Sequence, residues 1–199
     1  MTPTTTNNLK LLNAGCGTHY AKGWVNCDVW KSGPTQPDVL VERNTPYPFL
    51  DNYFDAAYLG HVLEHIEWEK VSDFVKDIKR MLKPGAPLLV VGPDVFKTIK
   101  RWKEDKEPWS MVLSTIEHQD FNYQPDREAE QWDGCAHFWN CHHERVWNLL
   151  TDVGFSNIKD YYDLVPNDTN SKWWTDPSTN ITWPVVGKWY WQFVIHCQA

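Results

Sequence analysis

The sequence predicts an α/β fold, a doubly wound and mostly parallel sheet. Three observations carry this. Short apolar runs recur without clean polar–apolar alternation, as in strands buried on both faces of a parallel sheet. Helical-period segments follow some of these runs, and strands alternating with helices imply crossovers. A glycine-rich turn, Gly15-Cys16-Gly17, directly follows the first apolar run.

In chain order, Leu9 to Asn13 reads as strand one, Trp24 to Cys27 as strand two, Asp38 to Val41 as strand three and Phe54 to Leu59 as strand four. Residues Tyr47 to Asn52 form a turn-rich loop. Glu67 to Leu82 is the clearest helix, with Val71, Phe74, Val75, Ile78 and Leu82 on one face. Lys79, Arg80 and Lys83 suit the negative end of its dipole, and Pro84-Gly85 stops it. Pro87 to Val91 is strand five. The pattern weakens from Phe96 to Cys141, where a helix is expected around Trp109 to His118, followed by a long loop. Glu144 to Val153 is a second helix closed by Gly154. Phe155 to Tyr162 reads as strand six, Pro166 to Lys188 as a loop insertion and Trp189 to Cys197 as the last strand.

The chain has 199 residues, which suits one domain spanning 1–199, with lid-like insertions at about 96–141 and 163–188. The formal net charge of −7 argues against nonspecific binding to phosphate backbones. Lys97, Lys100, Arg101 and Lys103 make either a local basic patch or a solvated helix face. No apolar run approaches the roughly 20 residues that cross a bilayer, and the first eight residues are polar. Five scattered cysteines fit reduced thiols and a cytoplasmic location better than a disulfide scaffold.

The glycine turn is either a plain strand-to-helix connection or a ligand cradle where a side chain would fill the ligand's space. Asp28, ending strand two, is placed to accept hydrogen bonds from ribose hydroxyls; a helix cap is the alternative. A dinucleotide site needs a third glycine and about twenty residues before the acid. Here Thr18, His19 and Tyr20 follow Gly17 and Asp28 comes early, which favours a single nucleoside without a pyrophosphate.

Several segments in order resemble the class I S-adenosylmethionine-dependent methyltransferases, specifically the small type 11 branch. They are Leu12 to Gly17, Gly23 to Asp28, Glu42 to Asp55, His61-Val62-Leu63-Glu64-His65, Met81 to Gly85 and Val153 to Phe155. The resemblance covers residues 9–95 well and 142–162 more loosely. It implies a Rossmann-like sheet with an antiparallel last strand, and S-adenosylmethionine as cofactor. It places Asn13, Ala14, Gly15, Cys16 and Gly17 around the methionine and ribose parts, Asp28 on the ribose, Glu42 or Asn44 near the adenine, and Gly60 and His61 close to the sulfonium. Asn13 and Ala86 depart from the family, which has an acid and a glycine there.

Methyl transfer from a sulfonium needs alignment and desolvation, and a hydroxyl acceptor benefits from a base. His61 after strand four and Asp94 after strand five are candidates, each with an equal claim to a structural role. His65 reads as structural and Glu64 as a buried orienting group. Cys135 to His143 holds five potential metal ligands in nine residues, but lacks the paired spacing of structural zinc, so no metal is expected. The segment is read as closing over the acceptor pocket, with His137 or His142 as further candidate bases; a buried or capping histidine is the default. Thirteen tryptophans, among them Trp102, Trp109, Trp132, Trp139, Trp173, Trp174 and Trp183, suit a lid against a sugar ring, nucleobase or apolar metabolite, or equally a core or a homodimer interface. The expectation is methyl transfer to oxygen or nitrogen of a small-molecule or glycan-type acceptor. The rivals are a non-catalytic module that binds the cofactor and a nucleic-acid or nucleotide modifier.

Overall fold

The computed structural model describes residues 9–29, 36–117, 137–166, 173–184 and 189–199. Strands β1 (Leu11–Ala14), β2 (Val25–Asp28), β3 (Val39–Leu40), β4 (Ala56–Gly60), β5 (Pro87–Pro93), β6 (Ser156–Asp160) and β9 (Gln192–Gln198) form one sheet in the order β3-β2-β1-β4-β5-β9-β6. The pairs among β1 to β5 are parallel, whereas β9 runs antiparallel to both β5 and β6. The order reverses at β1, so β1 and β4 flank the switch point where open α/β sheets bind ligands.

The helices are α1 (Trp68–Met81), α2 (Val95–Lys103), α3 (Trp109–Glu117) and α4 (His143–Val153). Helix α1 ends one residue inside each expected boundary because Glu67 and Leu82 are its caps. Helix α4 begins at His143, since the His142 side chain accepts a hydrogen bond from the Arg145 amide, and it ends at Gly154 in left-handed backbone. Helix α2 bears out the solvated helix face offered for Lys97, Lys100, Arg101 and Lys103: Val95, Ile99 and Trp102 recur at helical spacing, and the Asp94 cap fixes its start.

Side-chain alternation divides the sheet into two faces. Leu12, Ala57, Leu59, Leu88, Val90 and Ile195 pack with Val71, Val75 and Ile78 of α1 and with Val146 and Leu150 of α4. On the other face, Leu11, Ala56, Tyr58, Leu89, Val91 and Val194 meet Trp24, Tyr161, Trp174, Ile181 and Trp183. The last three belong to, or adjoin, a hairpin of β7 (Trp174–Thr175) and β8 (Thr182–Trp183) inside the expected loop insertion. Buried Asp176 builds its turn by accepting from the Ser178 amide and hydroxyl (both 2.8 Å) and the Thr179 hydroxyl (2.9 Å). Trp183 is fully buried, 5.7 Å from Trp24. Within the insertion expected at 163–188, Trp174 and Trp183 thus pack against the sheet, while Trp173 is exposed.

Candidate functional site

A cavity of about 780 Å³ opens at the carboxyl ends of β1, β2 and β4, within the size range of small-molecule sites. Gly15 and Gly17 have φ of +69° and +49°. The Gly15 and Cys16 amides donate to the Cys27 carbonyl (2.8 and 3.0 Å), tying the turn to β2. The Gly17 amide donates to Asp28 Oδ2 at 2.6 Å, which holds that buried carboxylate at the cavity wall.

The loop after β3 supplies Glu42, Asn44 and Tyr47 to the same wall. Thr45 stiffens it by donating its hydroxyl to the Glu42 carbonyl (2.8 Å). Arg80 of α1 pins its far end, donating to the carbonyls of Phe49 (2.8 Å) and Tyr47 (3.2 Å) and to the carboxylates of Asp51 (2.7 Å) and Asp77 (2.8 Å). Asp77 in turn accepts the Tyr47 amide at 2.7 Å.

At the opposite end, His61 adopts left-handed backbone, φ +56°, immediately after β4. Such a conformation is sparsely populated outside glycine and is held here by the Val91 carbonyl, which accepts the His61 amide at 2.8 Å. Its Nδ1 lies 3.1 Å from Glu64 Oε1 and its Nε2 lies 2.7 Å from Gln192 Nε2. An amide nitrogen only donates, so Nε2 is the acceptor and the Nδ1–H donates to Glu64. Burial pushes the Glu64 carboxyl upward, but the His61 bond and the positive ends of His61, His65 and His137 outweigh it and hold it well below the usual carboxylate range.

Of the expected site residues, Gly15, Gly17, Asp28, Glu42, Asn44 and His61 line this cavity. The others do not reach it by side chain. Asn13 points to the tryptophan-covered face, donating to the His19 carbonyl (3.0 Å) and Asn26 Oδ1 (2.9 Å), so it braces the glycine turn from below. Ala14 is core, and the buried Cys16 thiol is pushed up to about 12 by burial and by Asp28. At Gly60 a side chain would meet the Tyr58 ring, so its glycine serves packing. Gly15 is similar, since a Cβ there would meet Val62; only the Cβ of Gly17 would enter open space.

Asp94 and His142 correct the expectation of catalytic bases. Buried Asp94 accepts the Phe96 and Lys97 amides (3.1 and 3.4 Å) as the α2 cap. His142 caps α4 through the Arg145 amide (3.3 Å) and packs on Phe96, 4.5 Å between centroids. Both are spent on helix starts. Two contributors escaped sequence reasoning: His65 is in the cavity wall, and Gln192 reaches His61 from 131 residues away. The second has no local signal. The first was legible only as the end of the His61 to His65 run.

The insertion at 96–141 is described to residue 117 and again from 137. Its returning end seals the turn after β4: Phe138 donates its amide to the Glu64 carbonyl (2.8 Å) and Trp139 its indole N–H to the Leu63 carbonyl (2.9 Å). Trp132 and Cys135 lie outside the described residues. Two of the four cations of the basic patch considered on α2 are engaged internally, while Lys100 and Lys103 are exposed. Lys97 donates to the Gln192 carbonyl (2.7 Å) over the Tyr162 ring, while Arg101 pairs with Glu107 (3.1 Å) over Tyr190.

A glycine turn, an acid ending the second strand and a cavity at the sheet's switch point are the arrangement in which open α/β sheets bind nucleosides. Residues 16–90 match the family described as "Methyltransferase domain". The chain also shares its fold with solved S-adenosylmethionine-dependent methyltransferases. One from Archaeoglobus fulgidus has a TM-score of 0.54 and 11% identity over 96% of this chain and 86% of that one. One from Methanosarcina mazei has 0.52 and 19% over 98% and 93%. A possible histamine N-methyltransferase from Thermotoga maritima has 0.51 and 15% over 97% and 83%. No curated protein matches the sequence. Residues 16–90 thus match a methyltransferase domain, and the chain has the class I, Rossmann-like fold of these structures. The residues around the cavity fit S-adenosylmethionine, the cofactor of those neighbours: an acid placed for a diol, an open glycine at the turn and a cavity of sufficient volume. Among the described residues no helix is long and apolar enough to cross a membrane.

Proposed function

We propose that the protein methylates an oxygen or nitrogen of a small-molecule or glycan-type acceptor, with His61 receiving the acceptor's proton. One observation carries this reading: His61 lies in the wall of the cavity that also holds Asp28 and Gly17, with its ring oriented from both sides. Asp28 would hold the ribose, Glu42 and Asn44 the adenine end, and the turn's backbone the methionine part. When bound, the cofactor supplies a methyl group on a positively charged sulfur that departs as a neutral thioether.

The acceptor's lone pair would take that methyl as the carbon–sulfur bond gives way, and His61 Nε2 would receive the acceptor's proton. For this, Gln192 must yield Nε2 to the acceptor, and the Glu64 carboxylate then stabilises the imidazolium. Trp191 lies 5.4 Å from His61 and stacks on Trp189, which is partly exposed; such faces suit a sugar ring or flat metabolite. Unpaired buried thiols at Cys16, Cys27, Cys141 and Cys197 suit the reducing cytoplasm. We also read the chain as one domain, since C-terminal β9 completes the sheet beside β5.

The test is acceptor-dependent release of S-adenosylhomocysteine across sugar, phenol and amine panels. His61→Ala should lower kcat by roughly 10²–10⁴, the usual contribution of a positioned base, with cofactor affinity retained. Undiminished turnover would remove His61 from the chemistry. Cofactor binding without turnover on any panel would favour the non-catalytic module.

A further inference from the structure

Glu64, His65 and His137 bring one ligand atom each to within 4.8 Å of one another. They come from two separate stretches, the turn after β4 and the returning end of the 96–141 insertion. Glu64 is fully buried. Its Oε1 is taken by His61, while Oε2 has no hydrogen-bond partner. A buried carboxylate oxygen without a donor is costly to maintain, and this one sits in a cluster with two imidazoles whose rings are 4.9 Å apart.

We propose that Glu64, His65 and His137 form a binding site for a divalent transition cation, best matched by zinc. The donor set of two imidazoles and one carboxylate suits a borderline ion, and three protein ligands leave a position open, as in catalytic rather than structural zinc sites. Bonds of about 2.0–2.1 Å at tetrahedral angles require ligand separations of roughly 3.3–3.5 Å, so the three atoms close by on the order of an ångström around the ion. The outer partners are in place. His137 Nδ1 is 3.0 Å from the Thr115 carbonyl, which assigns the proton to Nδ1 and the lone pair to Nε2. Glu64 is braced by His61. Metal-bound histidines and carboxylates carry just such second partners. Because His65 also lines the cofactor cavity, the cation borders the space into which an acceptor must enter. The Cys135 to His143 run thus supplies a ligand, His137, but its partners lie over seventy residues upstream, where no local spacing reveals them.

The site does not depend on the acceptor assigned above, and its test does not read turnover. Untagged protein, stripped with chelator and dialysed, is titrated with zinc sulfate by calorimetry and with cobalt chloride by visible absorption. The expected result is one equivalent of zinc and the intense d–d bands of low-coordinate cobalt. His65→Ala, His137→Ala and Glu64→Gln should each weaken zinc by more than roughly a hundredfold, the upper end of what losing an outer partner costs. His143→Ala should leave it unchanged. Thermal unfolding of each variant checks folding; the two histidine variants decide the matter if Glu64→Gln does not fold. No zinc uptake by the folded wild type, or equal affinity in a His65→Ala/His137→Ala double variant, overturns the site. S-adenosylhomocysteine binding measured in chelator reports on the cofactor cavity separately.

Discussion

Gly15→Ala tests whether the turn is built for packing as well as for the cofactor. Gly15 sits at φ +69°, and an added Cβ would stand 2.9 Å from Val62 Cγ1 and closer still to Cγ2. Left-handed backbone costs an L-residue about 1–2 kcal/mol, and the overlap adds about 1–3 kcal/mol of overpacking. Lost freedom of the unfolded chain returns about 0.4–1 kcal/mol. The net is about 1–5 kcal/mol, on the order of 2–20 °C in Tm for a chain of this size. Gly17→Ala has φ +49° with nothing within 4 Å, so it should lose only about 1 kcal/mol. Val62 is in the cavity wall, so displacing it should also weaken S-adenosylhomocysteine. Differential scanning calorimetry of Gly15→Ala, Val62→Ala and the double variant isolates the contact. The double variant should be more stable than the sum of the singles by about 1–3 kcal/mol. A coupling near zero, or equal Tm losses at Gly15 and Gly17, would refute the reasoning.

Two further outcomes follow from single residues. Asp28→Asn removes the charged acceptor while keeping one oxygen for the Gly17 amide; affinity for S-adenosylhomocysteine should fall roughly 10- to 100-fold, as expected for losing a hydrogen bond to a charged group, with little change in Tm. Unchanged affinity in calorimetry would displace the ribose from Asp28. His196 is buried on β9, stacked on Tyr161 at 4.5 Å with neither ring nitrogen partnered, and burial lowers its pKa against the opposing pull of Asp176. The unfolded chain therefore takes up this proton first, near pH 6.5. Stability is full above that pH, falls as pH drops through it and levels once the folded histidine protonates. His196→Phe should flatten the Tm difference between pH 7.5 and 5.5 relative to wild type, and parallel curves would show that His196 does not drive it.

The parallel half of the sheet was legible because its strands are short apolar runs and α1 has a clean period with its stop at Pro84-Gly85. The cofactor end was legible for the same reason, since Gly15, Gly17, Asp28 and the 42–44 stretch are consecutive with strand ends. Side-chain direction was not. Asn13 and Ala14 are neighbours on one strand and point to opposite faces, so a motif naming both places only backbone. For Asp94 and His142 the sequence left catalytic and capping roles open, because a strand-end acid and a histidine in a polar run satisfy both patterns. Only the Phe96, Lys97 and Arg145 amides distinguish them. Gln192 and the pairing of His137 with Glu64 and His65 are contacts across the fold that no local window contains.

The tryptophans show that composition alone does not separate core indoles from lid indoles. The connection from β1 to β2 spans ten residues, Gly15 to Trp24, too few for a long crossover helix, and among the described residues no helix covers that part of the sheet's second face. Leu11, Ala56, Leu89 and Val194 would otherwise face water there. An indole buries far more area per ordered residue than an aliphatic side chain, so Trp24, Trp174 and Trp183 close the face with few residues and a hairpin of two-residue strands. That use consumes indoles expected to meet an acceptor. On the entry to β9, Trp191 stands beside His61 and stacks on Trp189. The strand that fills the sheet between β5 and β6 therefore also delivers Gln192 to His61 and sets Trp191 beside the same ring, so one strand serves both the sheet and the site.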